Sequence, residues 1–452
     1  MFSWMDRNWK LKHALLRCKH FEEQSKTAIN LWAEIESIFK EFNLVFGDTP
    51  ITTDNGANIK ASLKDEIRLP CMAHCCSTTL ETAWEATRNG CFEFDQLIIS
   101  VLELRSYIAR AGNIQQFLPM TIKKNSVTRP WRSYYVVYQS VLVSYDKLVD
   151  VLSPSFEEHR ILSINKNLLA SVVDLMKQFV PIFDALEFSK APTIHIVVPS
   201  YYAMMKLVQL NGQERPTIKL LKENIQSALN EKYWENIMQI HWVGTYLDPS
   251  FRDLSFVTDK SYKTTQLKAI KDGLIIMAED IDRERNDIND SLIDHQPPLK
   301  KSRTEGFADP FAQLRTSSSE PEKLNVKDEL LAELSHYSKL SYSNSNSSNN
   351  PTLILLDFWR TNETKLPLLS AIAKRILVIQ GSSSESERHF SSGGNIVSER
   401  RSRASASTVE SLVVLREAFI NGQWPDSSGE NDKEKLETEK DNTMFTPDII
   451  SL

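Results

Sequence analysis

The sequence is poor in several features that would fix a protein class at once. Its 452 residues hold five cysteines, at 18, 71, 75, 76 and 91. An odd count in so long a chain argues against a disulfide framework and for a reducing compartment. No apolar run reaches the ~18 residues that a membrane-spanning helix needs. The opening Met1-Phe-Ser-Trp-Met-Asp-Arg7 lacks the apolar stretch of a signal peptide. Positive charge is not in excess: 53 Lys and Arg stand against 59 Asp and Glu, a net −6. That excludes a uniformly basic nucleic-acid binder and leaves room for basic patches on one face. No internal repeat is present.

What is there is ordinary for a folded protein, with 41% apolar and 25% charged residues. The length suits roughly two or three domains of about 150 residues. Trp9 to Leu16 reads as a strand running into a loop. Ala28 to Phe42 carries Ile29, Leu31, Trp32, Ile35, Ile38 and Phe39 at helical spacing. Ile51 to Asp54 reads as a short strand ending on a carboxylate, and Asn55 to Leu63 as a turn and helix. Leu69 to His74 reads as a second strand, with a helix from about Ser77. This alternation predicts an α/β layer. Phe92 to Asp290 is mostly helical, with a stripe from Leu168 to Phe183 that Pro181 should bend or end. Two tracts, 291–325 and 341–350, have the composition of disordered linkers around a short helix, Lys327 to Ser338. The divisions are therefore 1–91, 92–290, 291–350, 351–420 and an acidic tail at 421–452 that should be disordered.

Five constellations carry chemistry. Ile51-Thr-Thr-Asp-Asn-Gly-Ala-Asn58 places Asp54 where a carboxylate can face a cleft and hold a hard cation, although Asp-Asn-Gly is also strong turn chemistry. Pro70-Cys-Met-Ala-His-Cys-Cys76 invites a zinc reading, but no second ligand pair lies at suitable spacing, and buried thiols are the plainer account. Ser384 and Glu387 fit a capping box, and Glu387-Arg388 could equally supply a metal ligand and a bidentate phosphate donor. Arg129, Trp131 and Arg132 interleave cations with an aromatic, which suits either nucleic acid or a core Trp opening a helix. Arg400 and Arg401 belong to a small basic cluster that precedes an apolar helix. That helix carries Leu412, Val413, Leu415 and Phe419 and must be buried in a core or a partner.

The order and spelling of these elements resemble the hAT transposase superfamily, most closely its BED-zinc-finger-type, often domesticated, branch. The elements are Thr53-Asp-Asn-Gly-Ala-Asn58, Leu69-Pro-Cys-Met-Ala-His74, the Arg/Trp/Ser element at 129–133, Tyr246-Leu-Asp-Pro-Ser-Phe251, Ser386-Glu-Arg-His-Phe-Ser391 and Leu412-Val-Val-Leu-Arg416. The likeness runs from about Trp9 to Phe419. It implies an RNase H-like core, in part at 1–91, interrupted by the helical insertion at 92–290. The core would end within 351–420, together with a C-terminal dimerisation segment. It implies that three acidic residues hold divalent metals, Mg²⁺ or Mn²⁺, for DNA cleavage and strand transfer. Asp54 matches the second aspartate and Glu387 the glutamate. Cys71 and His74 match the Cys-x-x-His element beside the site, and Trp131 the aromatic that stacks near the cleaved end. His74, Arg129, Arg132, Arg388, Arg400 and Arg401 would then face DNA. Leu412, Val413, Leu415 and Phe419 would carry self-association.

The departures shape the functional expectation. The family's first aspartate would lie before Met1, Asp6 is misplaced to replace it, and no BED finger precedes the core. The Arg-Trp element carries an inserted Pro130 and has Arg132 where Asn is usual. The reading is a transposase-derived, DNA-associated, self-associating protein without catalytic activity, with no membrane and no small-molecule substrate. The alternatives are an active transposase with a gene model truncated at its start, and a dimerising interaction protein that does not bind DNA. Lys300-Lys-Ser-Arg303 and the family context point to the nucleus.

Overall fold

A computed structural model describes residues 1–19, 21, 25–47, 49–123, 130–293, 325–342, 351–396 and 405–422. It is mostly helical with a small β component. The strands β1 (Phe2–Met5) and β2 (Leu11–Ala14) pair in a two-stranded sheet. Trp9, expected to open a strand that runs into a loop, lies instead in the turn before β2 and takes a left-handed φ of 60°. The helix α1 (Ala28–Glu41) is capped by Thr27, whose hydroxyl accepts from Asn30 N. The strands β3 (Ile51–Thr53) and β4 (Arg68–Pro70) pair in parallel, with Thr52 opposite Leu69, and α2 (Ala57–Ser62) crosses between them. The second strand is shorter than its sequence implied. Helix α3 (Met72–Gly90) starts directly after it, so His74 lies on a helix and not on a strand.

The helical block follows as α4 (Phe92–Arg110), α5 (Pro130–Val143), α6 (Tyr145–Leu152), α7 (His159–Leu162), α8 (Lys166–Leu186), α9 (Val197–Leu207), α10 (Pro216–Ala228), α11 (Gln239–Tyr246) and α12 (Lys260–Ile293). Helix α8 runs through Pro181, which was expected to bend or end it. A proline removes one ladder bond, but Phe179 and Phe183 on either side are buried and hold both halves on the same core. The chain continues as α13 (Val326–Lys339), α14 (Pro351–Asn362), α15 (Pro367–Leu377), α16 (Ser384–Ile396) and α17 (Ala406–Ile420).

Two hydrophobic clusters organise these helices. The first runs from Cys71 to Tyr233, so packing crosses the boundary drawn at residue 91. Trp84 of α3 sits in it with Phe94 at 4.7 Å and Trp131 at 5.8 Å. The second joins Trp9 and Leu69 to helices from both sides of the linker tracts. Helix α13, read as a short helix within a linker, is a core member there. Tyr337 is fully buried, and its hydroxyl donates to Tyr246 O at 2.9 Å. Arg252 caps its C-terminal end by donating to Tyr337 O and Leu340 O. Among the described residues no helix is long and apolar enough to cross a membrane. Residues 423–452, most of the expected tail, lie outside the described residues.

The chain divides into two compact units. The larger comprises Ser3–Lys12 and Glu23–Glu387. The smaller comprises Met1–Phe2, His13–Glu22 and Arg388–Leu452.

Candidate functional site

Asp54 follows the last residue of β3, so strand pairing fixes where its backbone emerges. Its Oδ1 accepts from Gly56 N at 3.1 Å, an Asx turn that opens toward α2. The carboxylate is exposed. Arg68, at the start of β4, fastens this turn from the neighbouring strand. Its Nε donates to Thr53 Oγ1 at 2.8 Å, and its Nη2 donates to Asn55 Oδ1 at 2.7 Å and to the carbonyl of Asp54. Burial lowers the guanidinium pKa, and the Asp54 charge opposes that shift. Nothing in the local sequence singles out this arginine, because its role depends on strand register.

Glu387 arrives from the far end of the chain. The segment before α16 is laid along β3 and the start of α3. Thr52 Oγ1 donates to Gln380 O at 3.0 Å, and Met72 N donates to Gly381 O at 2.8 Å. Ser383 N donates to Cys71 Sγ at 3.2 Å. From the other side, Thr193 Oγ1 donates to Gln380 Oε1 at 3.1 Å and accepts from Gly381 N at 2.8 Å. The approach is close enough that a Cβ on Gly381 would lie 2.9 Å from Val197 Cγ2. Helix α16 begins immediately afterward, with Glu387 N donating to Ser383 O at 3.3 Å. Glu387 is half-buried in its first turn. Ser384 is itself helical, so it is not the cap that a Ser-x-x-Glu capping box would require.

Asp54 and Glu387 are thus both tied to the first turn of α3. Cys71 N donates to Thr53 O at 2.7 Å while its thiol takes the Ser383 N–H. Burial raises the Cys71 thiol pKa; the Ser383 contact eases that shift and the Glu387 charge adds to it. Cys75 Sγ accepts from Asn55 Nδ2 at 3.0 Å, and burial pushes this thiol up to about 12. Cys71, Cys75 and Cys76 are buried while His74 of the same turn is exposed. Carboxylate oxygens suit Mg²⁺ or Mn²⁺. Among the described residues neither Asp54 nor Glu387 belongs to a group of three Asp, Glu, His or Cys side chains with ligand atoms within 4.8 Å.

The residues expected to face DNA are dispersed in environment. His74 and Arg388 are exposed. Trp131 is 1% exposed and packs edge-on against Trp84 and Phe179, so its ring belongs to the core and is not presented for base stacking. Arg132 is held by Asp184 at 2.7 Å and Glu187 at 3.8 Å. Arg129, Arg400 and Arg401 lie outside the described residues.

Within the smaller unit, α17 is capped by Ser405 and presents Leu412, Leu415 and Phe419 on one stripe, each 42–47% exposed. Val413 turns the other way. It is 2% exposed, and its Cγ2 lies 3.7 Å from where a Cβ on Gly393 would stand. Its side chain is used inside the unit, which removes it from the expected association face. His389 and Glu417, both buried, pair at 3.4 Å between α16 and α17.

Residues 333–419 match the hAT family C-terminal dimerisation region. The chain is 30% identical over 245 residues to the transposable element Hobo transposase of Drosophila melanogaster, covering 54% of this chain and 37% of that protein. It is 21% identical over 314 residues to a Zea mays protein named for the AC transposase, covering 64% of this chain and 36% of the relative. The matched stretches span little more than a third of the length of these relatives. The chain thus carries a segment matching the hAT family C-terminal dimerisation region and is similar, over part of its length, to hAT transposases.

Proposed function

We propose that this chain is a DNA-associated nuclear protein derived from an hAT transposase, self-associating through α17. The observation that carries the reading is the stripe of Leu412, Leu415 and Phe419, exposed on a helix inside the matched dimerisation region. Large apolar side chains at i, i+3 and i+7 with substantial solvent exposure give the pattern of an association face. A second copy of the chain fits that face. Residues 1–91 and 351–420 would form an RNase H-like core and residues 92–290 its helical insertion. The parallel β3–β4 pair with a carboxylate at its end supports that assignment.

Asp54 and Glu387 are the groups that would hold one Mg²⁺ or Mn²⁺, which when bound would polarise a phosphoryl oxygen. The chain's own residues set the stage for it. Arg68 and the Asx turn orient Asp54, and the Gln380–Ser383 segment orients Glu387. Exposed His74 would meet phosphate. Two carboxylates form a sparse site for such chemistry, and we expect DNA association without cleavage.

Sedimentation velocity tests self-association. The wild-type chain should sediment as a dimer or larger at micromolar concentration, and Leu415→Glu combined with Phe419→Glu should give a folded monomer. A wild-type chain that stays monomeric would remove the proposal. For cleavage, supercoiled DNA with Mg²⁺ or Mn²⁺ should remain intact; robust nicking abolished by Asp54→Ala would reverse that part of the reading.

A further inference from the structure

The first turn of α3 has an unusual set of partners. Its N-cap, Cys71, makes no side-chain capping bond. The N–H groups at this end go instead to two other segments: Cys71 N to Thr53 O, and Met72 N to Gly381 O. The two thiols repeat the division. Cys75 Sγ accepts from Asn55, the neighbour of Asp54, and Cys71 Sγ accepts from Ser383, at the foot of the helix that carries Glu387. One helical turn therefore grips both acidic segments, each through one backbone N–H or thiol pair.

We infer that Cys71 and Cys75 are positioning residues that set the separation of Asp54 and Glu387. The inference rests on the reading of those two carboxylates as the metal-holding pair. Thiols suit the task for a physical reason. A position between two carboxylates needs acceptors for Ser383 N–H and Asn55 N–H without adding charge. A buried thiol stays neutral, which the raised pKa values of both cysteines support. A carboxylate would accept the same bonds while adding a third negative charge without its own counterion. A serine hydroxyl would accept too, but its shorter C–O bond reaches less far, so it should restore the grip only in part.

Hydrogen exchange on the full chain, read by mass spectrometry, tests this without reference to activity. Loss of one bond worth about 0.5–1.5 kcal/mol should speed local exchange roughly two- to tenfold. Cys71→Ala should do so across residues 380–388, and Cys75→Ala across 54–58, with α8 unchanged as an internal reference. Cys71→Ser and Cys75→Ser should fall between wild type and alanine, and they serve if an alanine variant folds poorly. Wild-type exchange at 380–388 in a folded Cys71→Ala chain would overturn the inference. So would a uniform rise that includes α8, which is what a merely structural role gives. A Mn²⁺ titration followed by electron paramagnetic resonance separates the two layers. Wild-type binding that Asp54→Asn and Glu387→Gln abolish supports the metal reading, and weaker binding in Cys71→Ala supports positioning. Wild type without bound Mn²⁺ overturns the metal reading alone, and exchange then decides whether the grip exists.

Discussion

The indole N–H of Trp9 donates to Glu363 Oε2 at 2.9 Å, joining residues 354 positions apart. The other oxygen of Glu363 takes Lys374 Nζ at 2.5 Å, and that ammonium lies 4.8 Å from the centre of the Trp9 ring. Trp359 stacks on the ring at 6.4 Å. The left-handed φ of Trp9 is costly for a bulky residue, so these contacts hold the turn in place. Trp9→Ala should lower unfolding free energy by about 3–5 kcal/mol in urea titrations. Glu363→Gln should cost under about 1 kcal/mol, because the ion pair with Lys374 is half open to solvent. Equal losses in the two variants would contradict this division between packing and charge.

Two glycines should respond with opposite signs. At Gly381 a methyl would meet Val197 Cγ2 at 2.9 Å and Thr193 O at 3.3 Å, and Gly381→Ala should destabilise by about 1–3 kcal/mol. Gly394 lies within α16 with nothing near its missing Cβ, and Gly394→Ala should stabilise by up to about 1 kcal/mol through helix propensity. Thermal unfolding of both variants beside wild type reads the signs directly.

Buried histidines give the larger unit an acid sensitivity. His241 Nδ1 accepts from Met238 N at 2.9 Å, which requires the neutral ring, and burial takes its pKa to about 4. Burial also lowers the pKa of His195, against the pull of Asp248 at 3.7 Å. A depressed folded pKa means that the unfolded chain binds the proton more readily. The stability from His241 is therefore complete above pH ~6.5 and is lost as pH falls toward 4. At pH 5 the loss should be about 2 kcal/mol relative to pH 7. Subtracting the same pH series for His241→Asn isolates this group from the carboxylates; a difference that does not change between pH 7 and 5 would refute it.

Arg132 and Trp131 should behave unlike DNA-contact residues. Arg132 is engaged by Asp184 and Glu187, so Arg132→Ala should leave the salt midpoint of DNA-cellulose elution unchanged. His74 is exposed, and His74→Ala should lower that midpoint where His74 meets phosphate. Trp131→Ala should instead unfold the helical cluster, at about 3–5 kcal/mol. A folded Trp131→Ala chain with weakened DNA retention would restore the stacking role.

Much of the helical architecture was legible because local periodicity encodes it: α1 and α13 fall within two residues of the bounds read from the sequence. The failures are also physical. Pro181 reads as a breaker because sequence shows the missing N–H but not the core that holds both flanking turns. Trp131 offers the same letters whether its ring faces solvent or Trp84. The strand reading of Leu69 to His74 failed because three β residues are too few to show a period. For the acidic pair, motif order named Asp54 and Glu387. Arg68, Thr193 and the two thiol contacts stayed hidden, since each depends on a partner 13 to 312 positions away.

The bond from Thr52 to Gln380 has a consequence for biogenesis. Its two ends are separated by 328 residues. At ribosomal speeds of about 5–20 residues per second, Thr52 emerges roughly a quarter of a minute to a minute before its acceptor. Throughout that interval the nascent β3–β4 pair and the amide of Met72 have no Gln380–Ser383 segment to cover them. Such an edge is an invitation to wrong pairing on a crowded polysome. The chain therefore has reason to depend on a chaperone at this one place, long after its helices have found their neighbours.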